Sequence, residues 1–140
     1  MPSTWYVDIQ DQQPPFDSGV LDGQSRAMWT FNVVATKQPS ASFLLELVHL
    51  LVAAGVGVYG TNIFISSKAV IPTGAGPYLN IVATGGAIGL RTQNDTSGPS
   101  YERPSAQLTV RANSAAAAEA MCRAAYAALV GVRNTTVVTP

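Results

Sequence analysis

Charge is scarce in this chain. Lys and Arg number 8, Asp and Glu number 8, and together they make up 11% of 140 residues with a formal net charge of zero. A soluble domain ordinarily carries about a quarter charged residues. Either subunit interfaces bury much of this surface, or an exterior rich in Ser, Thr, Asn and Gln keeps it wet. Cys122 is the single cysteine, which excludes an intramolecular disulfide and a cysteine zinc cluster. Lying mid-helix among alanines, it reads as a small hydrophobe. His49 is the single histidine, so any Ser-His-Asp or Cys-His catalytic pair would have to use it. No basic run interleaved with aromatics is present, which argues against a nucleic-acid grip. The longest apolar stretch, Phe43 to Val58, is short for a membrane span and contains Glu46 and His49. The N-terminus has no basic region followed by an apolar run, so no signal peptide is expected.

What is present suits one folded core. Hydrophobic residues reach 47% and mean hydropathy is +0.19, in a length that fills one compact domain and is short for two. The few charges are unevenly spread. Residues 1–22 hold Asp8, Asp11, Asp17 and Asp22 with no Lys or Arg. From Lys68 onward, Lys68, Arg91, Arg103, Arg111, Arg123 and Arg133 outnumber Asp95, Glu102 and Glu119. The acidic segment is therefore expected to lie on a basic body, its own or a neighbour's.

Periodicity predicts the elements. Trp5–Ile9 is a short strand candidate, followed by a connector that Pro14, Pro15, Gly19 and Gly23 are expected to keep irregular. Met28–Ala35 alternates Met28, Thr30, Asn32 and Val34 with Trp29, Phe31, Val33 and Ala35. These two strands form an N-terminal ribbon that joins the main sheet or reaches across to a neighbour. A helix over about Ala41–Ala54 places Leu44, Leu47, Val48 and Leu51 on a buried stripe and ends at Gly55 and Gly57. N-I-F-I-S and Tyr78–Thr84 are strands, separated by the turn I-P-T-G-A-G-P. Gly85–Pro104 is a long polar stretch, either a functional loop or a long β-hairpin.

Ala106, Leu108, Val110 and Ala112 then alternate with Gln107, Thr109 and Arg111 as another strand. Asn113 or Ser114 caps a helix to Val130, closed by Gly131, and a final strand follows. That helix sets Ala117, Met121, Cys122, Ala125, Ala128 and Leu129 on one side, with Glu119 and Arg123 paired on the wet side. Its flat alanine surface suits close approach. The order strand, strand, helix, three strands, helix, strand predicts an α+β fold. Its mostly antiparallel sheet is flanked by two helices and carries an N-terminal β-ribbon extension. Residues 1–40 read as an extension or arm, and 41–140 as the main domain.

Chemical motifs are few. Gly55-Val56-Gly57-Val58-Tyr59-Gly60 has its third glycine one place early for a dinucleotide loop, and it follows a helix instead of a strand. Thr73-Gly74-Ala75-Gly76-Pro77 lacks the Lys-Ser/Thr of a phosphate loop. Glu46 and His49 share a helix, and no third metal ligand is indicated. His49 is expected at a hydrogen-bonded or rim position. No catalytic, cofactor-binding or metal residue is assigned, and the chain is not read as an enzyme.

Several pieces together resemble a known family. G-V-G-V-Y-G-T-N-I-F-I, G-P-Y-L-N-I-V-A-T-G-G, Y-E-R-P-S-A-Q-L-T-V-R-A, the alanine-rich helix and V-G-V-R-N are similar to the tail terminator or tail-completion proteins of long-tailed bacteriophages. Members are often labelled minor capsid proteins. The likeness covers about Ala41 to Val138, and its most specific parts are Tyr101-Glu102-Arg103-Pro104-Ser105 and Gly60-Thr61-Asn62-Ile63-Phe64. The resemblance implies a virion protein, assembled in the host cytoplasm, that forms a hexameric ring and caps the tail tube. Its implied partners are its own copies, the tail tube protein and the head-side connector or stopper, with the genome passing the lumen without sequence-specific contacts and no membrane or cofactor involved. It also implies interface roles for Arg91, Arg103, Arg111, Tyr101 and Glu102, with Gly85–Pro104 as the arm. A head–tail neck, stopper or minor capsid protein is the neighbouring alternative. A small ligand-binding α+β domain and a scaffold unrelated to phage are more distant ones.

Overall fold

The computed structural model describes residues 3–17, 27–37, 43–65, 74–90, 101–130, 132 and 135–139. The elements run β1 (Ser3–Asp17), β2 (Ala27–Lys37), α1 (Phe43–Ala53), β3 (Ile63–Ile65), β4 (Tyr78–Leu90), β5 (Tyr101–Ala112), α2 (Ala115–Val130) and β6 (Thr135–Thr139). This is the order the periodicities predict. The strands form one sheet in the order β3-β4-β5-β2-β1-β6, antiparallel throughout except for the β3–β4 pair. The fold is α+β, a mostly antiparallel sheet with two helices packed against it.

Alternation decides which face is dry. Phe31, Val33 and Ala35 of β2 line up with Leu108, Ala106 and their neighbours on β5, then with Leu79 and Ile81 of β4 and Ile63 and Ile65 of β3. All are buried in one cluster with Leu47, Val48 and Leu51 of α1 and Ala118, Met121, Cys122, Ala125 and Leu129 of α2. Both helices therefore cover the same face. The opposite face carries Thr30, Asn32, Asn80, Gln107 and Thr109, with the Thr30 and Thr109 hydroxyls 3.4 Å apart across β2 and β5.

The N-terminal ribbon joins the main sheet, since β2 lies between β1 and β5 and β1 also pairs with β6. The acidic segment thus has its backbone in the chain's own sheet. Pro14 and Pro15, expected to break any regular element, lie inside β1 instead. They fall at a register shift between Gln13 and Phe16, where β1 has one more residue than β2. A bulge interrupts the ladder, so the missing prolyl N–H removes little there.

Gly55 ends α1 as the spacing predicts. Its φ is +78°, and its N–H donates to Val52 O while Val56 N–H donates to Leu51 O. This paired closure satisfies carbonyls that a helix end otherwise leaves orphaned. Ser114 caps α2, its Oγ accepting from Ala117 N at 3.0 Å. Gly131 lies outside the described residues. On α2 the burial falls on Ala118, Met121, Cys122, Ala125 and Leu129, with Ala117 and Ala128 at the margin. The expected stripe is thus turned slightly toward Ala118.

Candidate functional site

Where it is described, at residues 85–90 and 101–104, the polar stretch after Thr84 is paired as two antiparallel strands. β4 continues to Leu90, β5 starts at Tyr101, and Leu90 pairs with Tyr101. Its root is irregular for a reason visible in the sequence. Pro104 cannot donate to a ladder, and β4 answers with a bulge in which Thr84 and Gly85 face Ser105. Gly85 and Gly86 have φ of +99° and +144°, and a Cβ on Gly86 would overlap the Arg103 carbonyl and lie 2.9 Å from Pro104 Cα. The Gly-Gly pair of β4 and the Arg-Pro pair of β5 are two halves of one kink. Thr84 Oγ1 and Ser105 Oγ meet at 2.8 Å beside it.

Of the residues the resemblance implies, Arg103 sits at this kink, half-buried, and Arg111 sits near the other end of β5, also half-buried. Eight residue steps of strand separate them, roughly 26 Å at the usual rise. They do not converge on one point. Tyr101 and Glu102 belong to β5 by backbone, with Glu102 opposite Lys37 in register. Their side chains and all of Arg91 lie outside the described residues.

The Gly60-Thr61-Asn62 motif shapes the turn between α1 and β3. Asn62 Oδ1 accepts from Val58 N at 2.7 Å, and Val58 O accepts from Thr61 N and Asn62 N. A Cβ on Gly57 would stand 2.5 Å from that Asn62 oxygen. Asn62 O then accepts from Leu79 N at 2.8 Å, fastening the turn to β4.

This turn presents an apolar groove against α1. Leu45, Val48, His49 and Val52 from the helix, and Val58 and Tyr59 from the turn, line a space of about 290 Å³. Val52, Val58 and Tyr59 are exposed by 42%, 58% and 43%. His49 therefore occupies a rim position, as its helical setting predicts. The groove escaped the sequence reading, although Leu45, Val48, His49 and Val52 follow the same i, i+3, i+4, i+7 spacing as the core stripe.

A second feature unseen in the sequence is a buried ion pair. Lys37 Nζ lies 3.4 Å from Glu46 Oε2, and the two side chains are 0% and 2% exposed. Parity on β2 could have found it, because Lys37 continues the inward series Phe31, Val33, Ala35. On α2, burial pushes the Cys122 thiol up to about 12, against a smaller downward pull from Arg123. A thiol held protonated so far above neutrality is a poor nucleophile.

Among the described residues, no group of three or more His, Cys, Asp and Glu could hold a metal ion. No described helix is long and apolar enough to cross a membrane. The described residues thus offer shaped surface, an apolar groove, a kinked hairpin root and the buried Lys37–Glu46 pair. Comparison with protein-family models, with curated proteins and with solved structures found no match.

Proposed function

We propose that this chain is a structural virion protein of a long-tailed phage, forming a hexameric ring that terminates the tail tube and joins it to the head-side connector. The reading rests on the resemblance carried by Tyr101–Ser105 and Gly60–Phe64. The observation that supports it most is where those motifs lie: one at the kinked root of the β4–β5 hairpin, the other at the turn that exposes Val58 and Tyr59. Each motif shapes surface, which is what an assembly protein needs. The low charge content and the exposed apolar side chains agree with subunit contacts.

The mechanism is shape-complementary capping. A ring seated on the last layer of a growing tube occupies the face that the next tube subunit needs, and polymerisation stops. The hairpin would be the arm toward a neighbour or the tube. Any segment that orders only on contact would lose its entropy when the right partner supplies contacts, which would make attachment sequential.

Light scattering across a concentration series tests the assignment. A hexamer, or a concentration-dependent approach to one, is the expected result. A monomer at every concentration that also fails to bind assembled tail tubes would overturn it. Arg103→Ala should weaken ring or tube assembly with the circular dichroism spectrum unchanged.

A further inference from the structure

Lys37 and Glu46 are unusual partners for the positions they hold. Lys37 closes β2 on its inward face, and Glu46 stands in the first turn of α1 among Leu44, Leu45 and Leu47. Both side chains are buried. Taking two charges out of water is costly, and a pair of apolar residues of similar volume generally serves stability as well or better. Stability therefore does not explain the pair.

The surface of α1 does. Two apolar stripes run along this helix and share Val48: Leu44, Leu47, Val48, Leu51, and Leu45, Val48, His49, Val52. They differ by about 100° of rotation, one residue step. The first faces the core and the second lines the open groove. Apolar packing tolerates many fillings of similar volume and loses uniqueness before it loses stability. A buried ammonium that must meet a carboxylate accepts one rotation only.

We propose that the Lys37–Glu46 pair selects the rotation of α1 on the sheet, turning Leu47 and Leu51 inward and leaving the groove with His49 and Val52 open. The device is independent of the ring assignment, since it concerns how one subunit's surface is specified. It uses charge for registry, the role for which buried polar pairs are best attested.

Three variants test it: Lys37→Met, Glu46→Gln and the double Lys37→Met/Glu46→Leu. Each single variant leaves its partner without its ion pair, and the melting midpoint should fall by roughly 10 °C or more. The double variant should recover most of that midpoint. Its amide and methyl NMR signals from Leu45, Val48 and Val52 should then broaden or double, because both rotations are populated. A recovered double variant with one sharp set of signals, shifted only beside positions 37 and 46, would show that apolar packing alone sets the rotation. A double variant as unstable as the singles, or singles with unchanged midpoints, would equally overturn the proposal.

Discussion

Gly57 and Asn62 are fitted to one another: the Asn62 side-chain oxygen that holds the Val58 amide stands 2.5 Å from where a Cβ on residue 57 would be. Ile63 Cδ1 lies 3.1 Å from the same point. Gly57→Ala must therefore displace the amide and lose its hydrogen bond, costing about 1 kcal/mol. Asn62→Ala removes both the bond and the obstruction. Urea unfolding of the two singles and the double should give a double-mutant loss smaller than the sum. Strict additivity would separate the two residues.

The hairpin root makes a stronger demand. Gly86→Ala meets backbone at Arg103 and Pro104, which cannot swing aside as a side chain can, and its φ of +144° is strained for any L side chain. A loss of about 2 kcal/mol or more is expected. Hydrogen exchange should rise across Ala83–Ala87 and Arg103–Ala106 before it rises in α2. Uniform loss of protection throughout the molecule would show that the kink is no local feature.

Alanine on α2 should matter by position. Ala118 and Ala125 are fully buried, whereas Ala124 and Ala127 are exposed. Ala125→Leu should cost about 1–3 kcal/mol by overpacking against the sheet. Ala124→Leu should stay within about 0.5 kcal/mol. Similar midpoints for both would remove close approach as the reason for the alanines.

Cys122 gives stability an alkaline dependence of known sign. Its thiol ionises at an ordinary value of 9.0 when unfolded, and burial pushes it to about 12 in the fold. Below 9.0 the thiol is protonated in both states and contributes no pH dependence. Between 9.0 and about 12 only the unfolded chain ionises, so stability falls as pH rises. Cys122→Ala should flatten that part of the stability–pH curve. The native thiol should also resist an aromatic disulfide reagent at pH 8 until denaturant is added; rapid native labelling would contradict its burial.

Arg123 lies 2.8 Å from Glu119 Oε1 and 5.6 Å from the centre of the Trp29 ring. The ion pair is exposed by 58% and 41%, so screening leaves it little to contribute. Arg123→Ala should change stability by no more than about 1 kcal/mol while shifting tryptophan fluorescence. A large loss of stability would assign Arg123 a deeper role.

The N-terminal segment shows how an expectation changes once the sheet is known. If the acidic N-terminal segment docks on a neighbour's basic body, deletion of residues 1–24 suggests itself as a test of oligomer stability at low salt. Deletion would in fact remove all of β1, which pairs with both β2 and β6, and would take away the neighbour of β6 among the described strands. Loss of the fold is the expected outcome, so the charge question is better asked with Asp8→Asn and Asp11→Asn.

Local pattern determined the elements themselves. The alternation in Met28–Ala35 and Ala106–Ala112, the stripe Leu47, Val48, Leu51, the Gly55 stop, the Ser114 cap and the Glu119–Arg123 pair all depend on residues within one or two turns or strand steps of each other. Such signals survive in sequence because the physics behind them is short-range.

What depended on distant partners was decided only by the tertiary structure. Pro14 and Pro15 lie in a strand because β1 bulges against β2. Lys37 is buried because α1 brings Glu46 over it. The groove is open because α1 carries two apolar stripes and the sheet can cover only one. The Arg103–Pro104 motif became a hairpin root once β4 placed glycine opposite it. Each outcome turns on contacts between residues far apart in sequence, for which a single chain offers no periodicity to read.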